Sequence, residues 1–317
     1  MKSAYTIVVP DTDILTCLCG TNDSNLRLIE NYLGVPVFTH GNELSIGDAD
    51  SDIQEKFKFI IDRILDESAA GEQISPDLVR SVLQYESHDS SEMLASAVIK
   101  IPGAVTTVFP KTVNQAEFIL SMRNTDVVLC AGPAGSGKTY LAVAEALRQL
   151  FSGAVSRLVL TRPVVEAGEN LGFLPGDLEQ KISPYLRPLF DSVEKLMPKG
   201  VSAKLTEAGV IELAPLAYMR GRTLDNCILI LDEAQNTTKE QMKLFLTRLG
   251  QGSKVFVTGD ITQIDLPRRI PSGFVHALEI LNRVEGVKIM HLDEDDIVRN
   301  PLVKRIVQAY ENDKDEK

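Results

Sequence analysis

With 317 residues, 44% of them apolar and 24% charged, the chain is long enough for two domains with ordinary cores and has the composition of a globular protein. It carries 44 acidic against 33 basic residues, a formal charge of −11. That balance excludes a general nucleic-acid coat, because non-specific affinity comes mainly from Lys and Arg at phosphates. No apolar run nears the roughly 20 residues that span a bilayer, so no membrane partner is expected.

The opening "MKSAYTIVVPDTDIL" is broken by Pro10 and is not read as a secretory signal. Residues 1–85 read as a small α/β domain. "YTIVV" and "ILTCLC" are strand-like, and "DSNLRLIENYL" has helical apolar spacing at Leu26, Ile29 and Leu33. Gly41-Asn42, between "GVPVFTH" and "ELSI", signals a hairpin. "DIQEKFKFIIDRIL" places Phe57, Ile60, Ile61 and Ile64 on one helix face. The predicted order is strand, helix, strand, strand, helix.

Residues 86–103 begin rich in Ser, Asp and Glu and read as a linker. From 104 to 317 the pattern changes to unalternating apolar strands: "VVLCA", "RLVL", "VIEL", "CILIL", "KVFVT" and "VKIMHL". Strands of that kind are buried on both faces, which predicts a parallel sheet in a doubly wound α/β domain. The four cysteines, Cys17, Cys19, Cys130 and Cys227, all fall in apolar runs without CxxC spacing. Buried reduced thiols and a cytoplasmic location are therefore expected. The four His are scattered and suggest no metal site.

"GPAGSGKT" matches G-x-x-x-x-G-K-[ST] over Gly132, Pro133, Ala134, Gly135, Ser136, Gly137, Lys138 and Thr139. It follows the strand "VVLCA" and opens the helical "TYLAVAEALRQL", as a phosphate-binding loop requires. Its backbone N–H groups would converge on phosphate oxygens. Lys138 would reach the β- and γ-phosphates of ATP, and Thr139 would ligate Mg²⁺.

"CILILDEAQNTT" ends a strand at Asp232, the metal-side carboxylate, and Glu233, a general base for the attacking water. The alternative, that these acids cap a helix, is weakened by the better cap downstream at Thr238-x-x-Gln241. Asp260 and Gln263, in "VTGDITQIDLP", follow a third strand and would sense the γ-phosphate; the alternative for Asp260 is an ordinary turn. Gln115 stands 17 residues before Gly132, a spacing similar to that of the adenine-reading Gln in superfamily 1 helicases. No N-K-x-D follows, which weighs against a guanine-specific site.

These motifs, with "TRPVVEAGENLGFLPGDLEQKISPYLRPLFD", "IELAPLAYMRGRTLDNCILILDEAQNTT", "QMKLFLTRLG" and "DIVRNPLVKRIVQAYE", resemble the PhoH family over most of residues 110–310. The resemblance implies a RecA-like P-loop ATPase, similar to one half of a superfamily 1 helicase and associated with RNA metabolism. It also implies a KH-like segment around "GTNDSNLRLIENYLGVPV". There Asp23 replaces the last glycine of GxxG, the alternative being that Asn22 or Asp23 caps the helix, and the chain lacks room for the usual second helix. "LTRPVVEAGENLGFLPGD" would face single-stranded RNA through backbone amides, Thr161 and Arg162.

The expected activity is Mg·ATP hydrolysis coupled to RNA binding, remodelling or processing. One rival is a nucleotide-dependent switch that holds a ribonuclease or ribosome-assembly partner; the family resemblance suggests a YbeY-type endoribonuclease. A small-molecule kinase would need an acceptor pocket and lid, and neither is visible. About 50 residues follow Asp265, too few for a second RecA-like lobe, so a neighbouring copy is the expected source of a catalytic arginine. The expected assembly is a hexameric ring. Arg220 and Arg222 are the first candidates, with Arg299 behind them; pairing with surface acids is the alternative for each.

Overall fold

Six apolar runs lie side by side in one sheet, and every pair is parallel. The computed structural model describes residues 5–47, 49–69, 74–83, 93–104, 107–163, 178–198 and 200–297. The chain divides into two compact units, Met1–Ser96 with Phe109–Lys111, and Ala97–Val108 with Thr112–Lys317. No described helix is long and apolar enough to cross a membrane.

The first unit runs β1 (Tyr5–Val8), α1 (Thr12–Cys19), α2 (Ser24–Leu33), β2 (Val37–His40), β3 (Glu43–Ile46), α3 (Ser51–Ala69) and α4 (Pro76–Leu83). Its antiparallel sheet has the order β1-β3-β2. His40 pairs with Glu43 across the predicted Gly41-Asn42 turn, where Gly41 takes a φ of 61°. Phe57, Ile60, Ile61 and Ile64 are buried along α3, as their spacing predicts.

"ILTCLC" is not a strand. It lies in α1, started by Asp11, whose side chain accepts from the Asp13 N–H at 2.8 Å, and ended by Gly20 at φ 73°. A short apolar run does not distinguish helix from strand by itself; the cap and the terminal glycine decide it. Leu15 and Leu18 are buried, while Cys17 is exposed and Cys19 only partly covered. The expectation of four buried thiols therefore holds only for Cys130 and Cys227. With α1, the first unit has two helices before β2. Asn22 and Asp23 turn the chain between α1 and α2 with left-handed φ of 53° and 57°, and Asp23 makes no side-chain cap.

The second unit runs α5 (Val113–Asn124), β4 (Val127–Ala131), α6 (Lys138–Phe151), β5 (Arg157–Arg162), α7 (Leu178–Leu196), α8 (Val201–Glu207), β6 (Ile211–Pro215), β7 (Cys227–Leu231), α9 (Lys239–Leu246), β8 (Lys254–Gly259), α10 (Gly273–Ile280) and β9 (Val287–His291). The strand order is β6-β5-β7-β8-β4-β9. All five residues of β7 are buried, the consequence of apolar packing on both faces. Leu129, Val159, Leu229, Val257, Phe245 and Phe274 share one core cluster. The capping box at Thr238 and Gln241 forms as read from sequence.

Residues 97–103, read as part of the linker, belong to the second unit. Ile99 bridges Val108, and Arg123 donates to the carbonyls of Ala97 and Val98 at 3.4 and 2.9 Å. The same arginine donates to Glu145, a fully buried acid on α6 that also accepts from Arg148 and Gln149. A buried carboxylate with three donors is well compensated, and it fixes the helix that follows the phosphate-binding loop.

Candidate functional site

Adjacent strands β5, β7, β8 and β4 end at one edge of the sheet, where open α/β sheets place their ligands. The register aligns Thr161 with Leu231, Leu231 with Val257, and Ala131 with Gly259. Arg162 is thereby brought level with Asp232, and Gly132 with Asp260, two residues further along the same edge. A cleft of about 270 Å³ opens there, lined by Lys138, Thr139, Asp232, Glu233, Asp260 and Gln263 among others, with Ser192 of α7 on its wall.

The loop after β4 is shaped by its glycines. A Cβ on Gly132 would stand 2.8 Å from the Leu292 carbonyl oxygen, and Gly135 and Gly137 take φ of 88° and 83°. Lys138 is buried and donates to the carbonyls of Gly132 and Pro133, both at 2.7 Å, and to Ser136 Oγ at 3.3 Å. Burial pulls its pKa down, against the raising influence of Asp260, Asp232 and Glu233. Asp260 Oδ2 accepts the Ala134 N–H at 2.9 Å, so this carboxylate braces the loop. Its other oxygen holds Thr262.

Asp232 is nearly enclosed. Oδ1 accepts from the hydroxyls of Thr139 at 2.6 Å and Thr258 at 2.8 Å; Oδ2 accepts from Arg162 Nε at 2.8 Å and Nη2 at 2.5 Å. Glu233 is nearly half-exposed and stands in the left-handed region at φ 54°, a sparsely populated conformation for a residue with a Cβ. Among the described residues no group of three or more His, Cys, Asp or Glu could hold a metal ion. One carboxylate beside one hydroxyl nevertheless suits Mg²⁺, which keeps waters and takes its remaining oxygens from substrate phosphates.

Other expectations meet the structure less directly. Gln115 is buried under the loop, where its Nε2 donates to the Ser136 carbonyl at 3.0 Å, and it is not among the cleft-lining residues. The same nitrogen also donates to the Asp296 carbonyl at 3.4 Å. Thr161 is fully buried and Arg162 is bound to Asp232, so neither is presented to an RNA strand. The rest of that expected surface, residues 164–177, lies outside the described residues. Arg222 is held in a fork by Glu212, at 2.5 and 2.8 Å, and the pair holds the glutamate's pKa down. That leaves it poorly placed to donate to a neighbour. Arg220 is exposed, with no side-chain partner among the described residues. Arg299 lies outside them.

Gln235 was not singled out from sequence. It is buried, its Oε1 accepts the Asp260 N–H at 3.0 Å, and its Nε2 donates to Glu233 Oε2 at 2.7 Å and the Gln263 carbonyl at 3.1 Å. One side chain thus ties Glu233 to both Asp260 and Gln263. Its signal was its place three residues after Asp232 at the end of β7. Replacing it with Leu keeps the volume but removes every bond, so kcat should fall about 10- to 100-fold while nucleotide affinity changes little. A kcat equal to the parent's would refute this positioning role.

The family model described as "PhoH-like protein" matches residues 107–311. A PhoH-like protein of Bacillus subtilis (strain 168) is 44% identical over 301 residues, covering 93% of each chain. One from Mycobacterium tuberculosis (strain H37Rv) is 45% identical over 302 residues, covering 94% of this chain and 85% of its own. Among solved structures, the Pif1 helicase of Candida albicans aligns with 63% of this chain and 43% of its own at 16% identity and a TM-score of 0.34, too loose a match to bear on mechanism. The parallel sheet and its glycine loop make a P-loop α/β fold, and the chain belongs to the PhoH-like protein family.

Proposed function

We propose that this protein hydrolyses Mg·ATP and couples the reaction to RNA handling. The observation that carries the reading is the convergence of Lys138, Thr139, Asp232, Glu233 and Asp260 on one cleft at the carboxyl edge of the sheet. In this reading the loop N–H groups and Lys138 bind the phosphates, while Thr139 and Asp232 hold Mg²⁺. Bound there, the metal would neutralise charge that develops on the phosphate oxygens. Glu233 accepts the proton of the attacking water, held for that task by Gln235. Asp260 and Gln263 lie beside the γ-phosphate, and the Asp260–Ala134 bond links that sensor to the loop.

The RNA side of the proposal rests on the first unit. Its β-α-α-β-β-α order, with a four-residue turn from Gly20 to Asp23 between the first two helices, supports a KH-like domain. Asp23 repels phosphate, so clamping by that turn would be weak. A cytoplasmic setting is supported by four cysteines that are all free. A hexameric ring with active sites between subunits, and a YbeY-type endoribonuclease as partner, complete the proposal.

Steady-state ATP turnover with and without single-stranded RNA, over a range of protein concentration, tests it. RNA-stimulated turnover that rises with assembly is the expected result. Flat turnover with ATP-dependent capture of a ribonuclease would instead identify a switch.

A further inference from the structure

Among the described residues Arg162 is the one cation bound to the candidate metal-side carboxylate, yet no phosphate-binding motif contains it. It ends β5, and its guanidinium faces three ways. Nε and Nη2 donate to Asp232 Oδ2, Nη2 also stands 3.6 Å from Glu233 Oε1, and Nη1 donates to the Tyr185 carbonyl of α7 at 3.4 Å. The arginine is mostly buried and Asp232 almost wholly so. Helix α7 is itself a wall of the cleft, through Ser192. The helix is locally weak beside the clip, because Pro188 lacks a backbone donor within it.

We propose that Arg162 is a positioning residue that clips α7 to the Asp232–Glu233 pair, and that Mg²⁺ with nucleotide loosens the clip. The inference rests on the nucleotide-hydrolase reading above. The physical reason is competition for one negative charge. Asp232 divides its two oxygens between the Thr139 side and Arg162. A dication ligated by Thr139 draws the carboxylate's charge toward Oδ1 and repels the guanidinium across the same group. Nη2 already lies near Glu233, so a small rotation moves the fork from one acid to the next. The bond to Tyr185 is the longest of its hydrogen bonds and gives way first. Helix α7 is then released at its proline-weakened turn, which makes its order depend on the metal-loaded nucleotide. Among the described residues no other side chain joins these acids to α7.

The test is amide hydrogen exchange across Leu178–Leu196 in the full chain, followed by mass spectrometry. The protein is compared alone, with a saturating non-hydrolysable ATP analogue plus EDTA, and with the analogue plus Mg²⁺. Nucleotide binding is measured on the same samples by fluorescence competition. Mg²⁺ with the analogue should raise exchange around Tyr185 about tenfold, the analogue with EDTA much less, since one charge-assisted bond is at stake. Arg162→Gln protein should exchange at the raised rate in every arm. Arg162→Lys should resemble it, because an ammonium lacks the planar fork that reaches both acids and the carbonyl. Parent protein that binds the analogue yet shows no Mg²⁺-dependent change overturns the inference alone. So does slow exchange in both variants. Failure of the parent to bind any nucleotide overturns the hydrolase reading, and this inference with it.

Discussion

Glu233→Gln protein should bind ATP as the parent does and hydrolyse it about 10²–10⁴-fold more slowly, the usual contribution of a general base. The substitution is nearly isosteric. The Gln235 Nε2 bond, 2.7 Å to Glu233 Oε2, can be kept by an amide oxygen, so the left-handed turn at φ 54° and its neighbours should persist. What disappears is the capacity to accept a proton. Holding a non-glycine residue at positive φ costs on the order of 1–3 kcal/mol, which the surrounding bonds must offset. That expense is intelligible if the carboxylate has to point into the cleft rather than along the helix. Phosphate release and equilibrium nucleotide titration on the same preparation check the prediction. Parental turnover would remove Glu233 from the chemistry, while lost binding would mean that the residue acts on structure instead.

The second large effect follows from the proposed ring, in which an arginine would come from a neighbouring subunit. Arg220→Ala and Lys138→Ala proteins should each lose about 10³–10⁵-fold in turnover, and mixtures of the two should recover part of it. Lys138→Ala fails in its own cleft, because a buried cation with three acceptors is gone. It still presents an intact Arg220 to the next subunit. Arg220→Ala keeps an intact cleft but offers nothing to its neighbour. Arg222 makes a poor substitute, since breaking its fork on Glu212 would strand a partly buried carboxylate. Recovery requires rings that exchange subunits, so exchange must be shown with labelled protein. Proven exchange without recovery would reject Arg220 as the donor.

Local rules carried much of the second unit. A phosphate-binding loop has to place glycines where φ is positive, and strands buried on both faces have to be continuously apolar. Both constraints are written in consecutive residues, so "GPAGSGKT", "CILIL" and "KVFVT" could be assigned to loop and strands by inspection. The same logic failed at "ILTCLC". Six residues of mixed apolar character satisfy either period, and the outcome turned on the Asp11 cap and on burying Leu15 and Leu18. The second helix before β2 was thereby hidden, although every residue that forms it was visible.

What the sequence by itself determined is the chemistry available at each strand end, because residue type and distance from the strand are covalent facts. What only the tertiary structure decided is who shares that chemistry. Arg162 meets Asp232 across 70 positions, and Asp260 meets Ala134 across 126. Those encounters depend on the strand order β5-β7-β8-β4, which no local pattern encodes. Gln115 illustrates the same division from the other side. Its spacing suggested an adenine contact, but the amide is held beneath the loop, 3.0 Å from the Ser136 carbonyl. A buried amide takes the partner that packing supplies, and that partner is set by the fold rather than by spacing along the chain.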